Sequence, residues 1–168
     1  MTAARQQRKS SRAFALGLAF GIGAFGVIFE ASGILAAPHD RIVVDPDSGL
    51  ALSGFDPVAY FTERRPKIGR PNLELRRDDA VWRFQNEGNR AAFAAHPEVY
   101  TPRFGGYDPV AIARGASVPG HSLFWSVTSD RLYLFYSAET RAAFVAEPGN
   151  IIEAAERKWS EVARTIGR

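Results

Sequence analysis

The feature that most limits what this chain can fold into is an internal repeat. Gly54-Phe55-Asp56-Pro57-Val58-Ala59 returns 52 positions later as Gly106-Tyr107-Asp108-Pro109-Val110-Ala111. Phe84, Arg90-Ala91-Ala92-Phe93, Ala95 and Pro97 return 51 positions later as Phe135, Arg141-Ala142-Ala143-Phe144, Ala146 and Pro148. Two matches in the same order, separated by one deletion, describe tandem units. The first runs over residues 53–104. The second runs over 105–168 and ends in a C-terminal helix.

The pattern inside each unit predicts the same parts. Asp56 and Asp108 each precede proline, the arrangement of an N-cap followed by Pro at the first helical position. A short helical turn should follow. Alternation of Leu73 and Leu75, then Trp82 and Phe84, around Asp78-Asp79 predicts a hairpin. Leu123, Trp125 and Val127, then Tyr133 and Phe135, around Ser129-Asp130 predict a second. Each hairpin leads into a helix, about 87–95 and 138–146, closed by Pro97 or Pro148. Ile152, Ala155, Trp159, Val162 and Ile166 form an apolar stripe on the last helix. A lone two-stranded hairpin is marginal in water, so the units are expected to pack on each other beneath that helix. The fold class expected is α+β.

Ahead of the repeat lies a leader, residues 1–37, joined by a linker, 38–52. Residues 13–29 form a 17-residue run without charge, interrupted by Glu30. Four basic residues precede the run, and none follows it closely. That asymmetry places the N-terminus in the cytoplasm and residues 38–168 outside it, an extracytoplasmic and expectedly periplasmic location. The run is long for a signal-peptide core of about 7–15 residues and spans a bilayer when counted through Ala37. An uncleaved membrane anchor is preferred over a cleaved signal peptide. The net charge of +3 resides in this leader, since residues 38–168 hold 17 basic and 17 acidic side chains. A repeat without basic excess has little with which to neutralise phosphate backbones, so no nucleic-acid partner is expected. The chain has no cysteine, which removes disulfides, thiolate nucleophiles and Cys-ligated zinc.

The repeat resembles the YHS domain, a TRASH-like treble-clef module of copper-transporting ATPases and metallochaperones. The resemblance rests on Asp56-Pro57-Val58, Phe84, Arg90, Phe93, Pro97 and Tyr100, and again on Asp108-Pro109-Val110, Phe135, Ser137, Arg141, Phe144 and Pro148. Ser53 to Phe61 and Phe104-Gly105-Gly106-Tyr107 look more specifically like exported bacterial YHS proteins, and the likeness covers roughly residues 48–160. It implies a metal-homeostasis setting. The family's thiolates, however, are replaced here by Ala59, Gln85 and Asn89 in the first unit and by Ala111, Tyr136 and Thr140 in the second. The resemblance therefore implies a fold without its metal site. No cofactor is expected, with a metal ion left open.

Several side chains carry a chemical reading beside a structural one. Asp56 and Asp108 can serve as an acid–base or hard-metal pair, or as two N-caps, the preferred reading. His121 follows Pro119-Gly120 and can ligate a metal with Asp108. His39, His96 and His121 nevertheless lack ligand spacing. Tyr60, Tyr107 and Phe104 flank Gly105-Gly106 and can line a ligand pocket or belong to the core. Arg90 and Arg141 can clamp an anion or pair with Asp56 and Asp108 to hold the units, the second being the preferred reading. The candidate ligand-binding set is thus Tyr60, Tyr107, Asp56, Asp108 and His121, with no catalytic or metal residue assigned.

Three functions follow. The first is a non-enzymatic extracytoplasmic binding or accessory protein with its thiolate ligands lost. The second is an O/N-ligated metal or cofactorless enzyme using Asp108, His121 and Tyr107. The third is a structural partner of a membrane protein complex. The small ligand, if any, is not named by the residues.

Overall fold

The computed structural model describes residues 41–166. The leader, with the membrane anchor expected there, and His39 lie outside the described residues. Among the described residues no helix is long and apolar enough to cross a membrane.

The chain is α+β and contains two small antiparallel hairpins. In the first unit a 3-10 turn, Leu52–Gly54, leads to helix α1, Ala59–Thr62. Strands β1, Arg70–Arg77, and β2, Ala80–Phe84, form the hairpin. Helices α2, Glu87–Ala95, and α3, Pro97–Tyr100, follow. The second unit repeats the order. A 3-10 turn, Arg103–Gly106, precedes α4, Pro109–Ala113. Strands β3, His121–Thr128, and β4, Arg131–Phe135, are followed by α5, Ala138–Ala146, and α6, Pro148–Ala163. Pro97 and Pro148 do more than end a helix: each opens the next one, at its first turn.

The likeness extends to backbone detail. Both hairpins turn on two left-handed residues, Asp78-Asp79 and Ser129-Asp130, a pair of positive φ angles that matches strand twist. Both carry a register shift at the same place, between Arg70 and Glu74 and between His121 and Trp125. Gly69 donates its N–H to the Gly54 carbonyl, and Gly120 to the Gly106 carbonyl. A Cβ on Gly69 would lie 2.5 Å from Arg83 Cβ, and one on Gly120 would lie 2.6 Å from Leu134 Cβ. Asn86 caps α2 and Ser137 caps α5, each through its side-chain oxygen.

Each unit folds around one aromatic triplet. Phe93 packs on Trp82 at 4.8 Å and on Phe84 at 5.4 Å between ring centroids. Phe144 packs on Tyr133 at 4.9 Å and on Phe135 at 5.0 Å. The apolar stripe of α6 closes the second core, with Ala155 and Val162 buried and Ile152, Trp159 and Ile166 against them.

The units differ in what their hairpins cover. In the first, Glu74 lies opposite Arg83 in the register, and the two form an ion pair at 2.8 Å on the outer face. At the equivalent place in the second, Trp125 lies opposite Leu134. Leu132 and Leu134 are buried in the first unit's core, while Tyr133 and Phe135 are buried in the second's. The second hairpin is therefore the shared layer, apolar on both faces, and the first is an outer layer with one wet face. This alternation is the period of a strand used twice.

Residues 41–51, within the segment read as a linker, join both units. Val43 N–H donates to Gly105 O at 2.8 Å, and Ala51 N–H donates to Val81 O at 2.9 Å. Between them Asp45 accepts from the N–H and hydroxyl of Ser48 to make a tight turn.

Candidate functional site

Asp56 and Asp108 are both fully buried, and each ties a helix start to the end of its own hairpin. Asp56 Oδ1 accepts from Val58 N–H at 2.8 Å. Its Oδ2 accepts from Gln85 N–H at 2.8 Å and from the Asn89 side-chain amide at 2.6 Å. Asp108 Oδ1 accepts from Val110 N–H at 2.8 Å, and its Oδ2 from Tyr136 N–H at 2.9 Å. Each carboxylate accepts from two backbone N–H groups, and Asp56 also from a side-chain amide. A buried carboxylate is costly unless it is hydrogen-bonded, and here it satisfies donors that would otherwise be stranded.

These carboxylates occupy the neighbourhood where the resemblance places lost thiolates. Gln85 and Asn89, two of the replaced positions, are the donors to Asp56. Tyr136 donates to Asp108, and Thr140 closes a capping box with Ser137. The first unit thus has a side-chain donor that the second lacks. Sequence reasoning placed Asn89 among the substitutions without seeing its bond. The available signal was a polar residue held at both repeat positions, Asn89 and Thr140.

The other candidates are dispersed. Tyr60 is buried, donates its hydroxyl to Ser122 O at 2.8 Å, and meets Trp125 edge-on at 5.3 Å. Burial pushes its phenol well above the ordinary range, the hydrogen bond opposes this, and the charge of Asp56 adds to it. Tyr107 is half-buried, bridges to Pro119 and lies 6.1 Å from the Trp159 ring. Burial raises its phenol, and Arg41 opposes the shift. His121 is exposed, accepts from Leu123 N–H at 3.1 Å through Nδ1, and packs on Phe124. Asp108, His121 and Tyr107 therefore have separate partners. Among the described residues no group of three His, Cys, Asp or Glu side chains is arranged to hold a metal.

The arginine expectation is corrected. Arg90 pairs with Glu87 at 2.8 Å, and Arg141 Nε donates to Trp125 O at 2.7 Å. Both are held by partners other than the aspartates. His96 caps α2 and lies 3.5 Å from Glu98.

Gly105 and Gly106 do line a cleft, together with Ile42 to Asp45, Ser53, Ser122 and Leu134. Its volume is about 80 Å³, enough for several waters or a very small molecule and below the usual drug-sized range. The 3-10 turns of both units face it in left-handed conformation, Ser53 at φ 51° and Gly105 at φ 63°. Glycine is required at 105, where a Cβ would stand 2.1 Å from Arg41 O. Tyr60, Tyr107 and Phe104 are not among the lining residues. Tyr60 touches the cleft indirectly, through Ser122.

Comparison with family models, with curated proteins and with solved structures finds no match to this chain.

Proposed function

We propose that this chain is a non-enzymatic, extracytoplasmic binding or accessory protein, built from two YHS-like units whose metal-binding role has been lost. The observation that carries the reading is the pair of aspartate hubs. Where thiolates would gather around an ion, Asp56 gathers Val58 N–H, Gln85 N–H and Asn89 Nδ2. Asp108 gathers Val110 N–H and Tyr136 N–H. A carboxylate with backbone donors does the organising work of a structural ion: it joins the helix start to the strand end. Its oxygens are engaged by N–H donors of its own unit. Such a module binds through its surface or its small cleft rather than through a metal.

The test is metal content and topology of the full chain. The protein is expressed with its leader, purified without chelator or affinity metal, and examined by elemental analysis. Protease added outside the cytoplasmic membrane probes the location of the repeat. The expected result is less than stoichiometric copper, zinc or iron, a fold that survives excess chelator, and cleavage from outside. A stoichiometric transition metal lost together with the fold overturns the reading. Protection from external protease overturns the location.

A second reading, a structural partner of a membrane complex, is favoured by one asymmetry. The second unit exposes Leu123 and Tyr136 at the positions where the first unit has Asn72 and Gln85. Cross-linking in intact cells, with Leu123→Glu and Tyr136→Glu as comparators, tests it. A cross-linked partner that both substitutions abolish supports it, and a pattern unchanged by them removes it.

A further inference from the structure

A second concavity lies away from the aspartate hubs and the glycine-lined cleft. It is an open groove of about 340 Å³ where the tips of both hairpins meet the connection between the units. Arg77 enters it from the end of β1, Arg131 from the start of β4, and Arg103 from the 3-10 turn. Thr101, Asp78 and Glu98 complete its polar wall.

Three arginines line this groove, and two of them have carboxylate partners. Arg77 lies 3.2 Å from Asp78 and Arg103 lies 2.7 Å from Glu156. Arg103 also stacks on Phe104, 5.3 Å from the ring centroid, which holds its plane. Arg131 is different: its guanidinium donates to the neutral carbonyl of Glu98, and among the described residues it pairs with no carboxylate. The Glu98 carboxylate itself is directed to His96 Nδ1, 3.5 Å away. Arg131 is thus the groove's guanidinium held by a backbone acceptor, while Asp78 and Glu98 share the wall.

The repeat sharpens the point. The positions equivalent to Arg77 and Arg131 are Thr128 and Ala80. Folding of a unit does not need arginine at either place, since the other unit does without it. We propose that this groove binds a small phosphate-bearing anion, through Arg131 and Arg77 with Arg103 and Thr101 at its side. Guanidinium forks match the several oxygens of a phosphoryl group, and the volume suits a ligand larger than a single ion. The proposal is independent of the YHS-like reading, because it uses none of the positions on which that resemblance rests.

The same chemistry is offered by soluble phosphate compounds and by lipid head groups. The test uses the full chain in neutral detergent, with inorganic phosphate, pyrophosphate and glycerol phosphate as probes. Amide shifts at Thr101, Arg103 and Arg131 are followed by NMR. Saturable shifts are expected, weakened about tenfold by Arg131→Gln, weakened also by Arg77→Gln, and unchanged by Arg65→Gln outside the groove. Added salt should weaken them further. Tighter binding of pyrophosphate assigns a soluble diphosphate-like ligand, and tighter binding of glycerol phosphate assigns a head group. The proposal is overturned if no probe gives a saturable shift. It is equally overturned if Arg131→Gln and Arg77→Gln, both folded by their urea midpoints, bind as the parent does.

Discussion

Asn89 donates its side-chain amide to Asp56 Oδ2 at 2.6 Å, a bond between two residues 33 positions apart that joins the first turn of α2 to the segment leading into α1. It is a feature of the first unit alone, since Thr140 at the equivalent place turns back to Ser137. The two hubs are thus built alike and loaded differently, and their contributions can be separated by substitution.

Asp56→Asn puts an amide where a carboxylate accepts from three donors, and sets N–H against N–H. The expected loss is about 2–3 kcal/mol, the scale of hydrogen bonds to a charged buried group. Asp108→Asn should cost less, because only two donors reach it. Urea midpoints with unchanged slopes measure both. In the Asp56→Asn background, Asn89→Ala should cost less than it does alone. An Asp56→Asn protein with the parent's midpoint would show that the hub is not structural.

The shared hairpin predicts an asymmetric response to charge. Leu134→Arg gives the second hairpin the residue that the first carries at Arg83. Because Leu134 is buried against the first unit, the substitution should cost about 3–5 kcal/mol, the range for an uncompensated buried charge. Arg83→Leu on the outer face should change stability by less than about 1 kcal/mol, the usual scale of an exposed ion pair. Equal costs at the two positions would contradict the layer order described.

Gly120→Ala and Gly69→Ala should each destabilise by about 1–3 kcal/mol or more, through overpacking against a neighbouring strand. A Cβ at Gly120 would also lie 2.8 Å from Gly106 O. Gly149, with nothing within 4 Å of a built Cβ, is the contrast. Gly149→Ala should stabilise by about 0.4–1 kcal/mol. Thermal midpoints of the three variants decide it.

Tyr60 links pH to stability. Its phenol is raised in the folded protein, first by burial, and those of Tyr107 and Tyr133 are raised by burial as well. The folded state therefore holds these protons more tightly than the unfolded chain does. The stability so contributed is complete below the ordinary phenol value of about 10 and is lost as pH rises from there. The unfolding midpoint should stay level through neutral pH and fall in the alkaline range. Tyr60→Phe should lose about 1 kcal/mol at neutral pH with its bond to Ser122 O, and its alkaline fall should be shallower. A fall as steep as the parent's would assign the effect to other groups.

Much of the local structure was legible because its causes are local. Alternation set the hairpins, Asp78-Asp79 and Ser129-Asp130 set their turns, and Asp108-Pro109 set the start of α4. The repeat then doubled every such inference. Asp108 was recognisable as the cap of α4 because a cap acts within two or three residues, whereas Asp56 stands one turn ahead of α1, whose N-cap is Val58, and accepts from the Val58 N–H instead. The partners of their second oxygens were not legible, because Gln85, Asn89 and Tyr136 lie about thirty positions away along the chain, and proximity across a fold leaves no spacing rule. The arginine pairing failed on the same ground. Equivalence in the repeat showed that Arg90 and Arg141 occupy matching places, but not that Glu87 and the Trp125 carbonyl would be their partners.

The sequence by itself determined the composition of each unit, its order of turn, hairpin and helix, and the absence of thiol chemistry, since these depend on residue type and short-range periodicity. Only the tertiary structure decided which hairpin becomes the shared layer, how residues 41–51 join both units, and that Arg77, Arg103 and Arg131 meet in one groove. Those outcomes depend on which apolar faces exclude water together, and that is a property of the packed whole rather than of any segment.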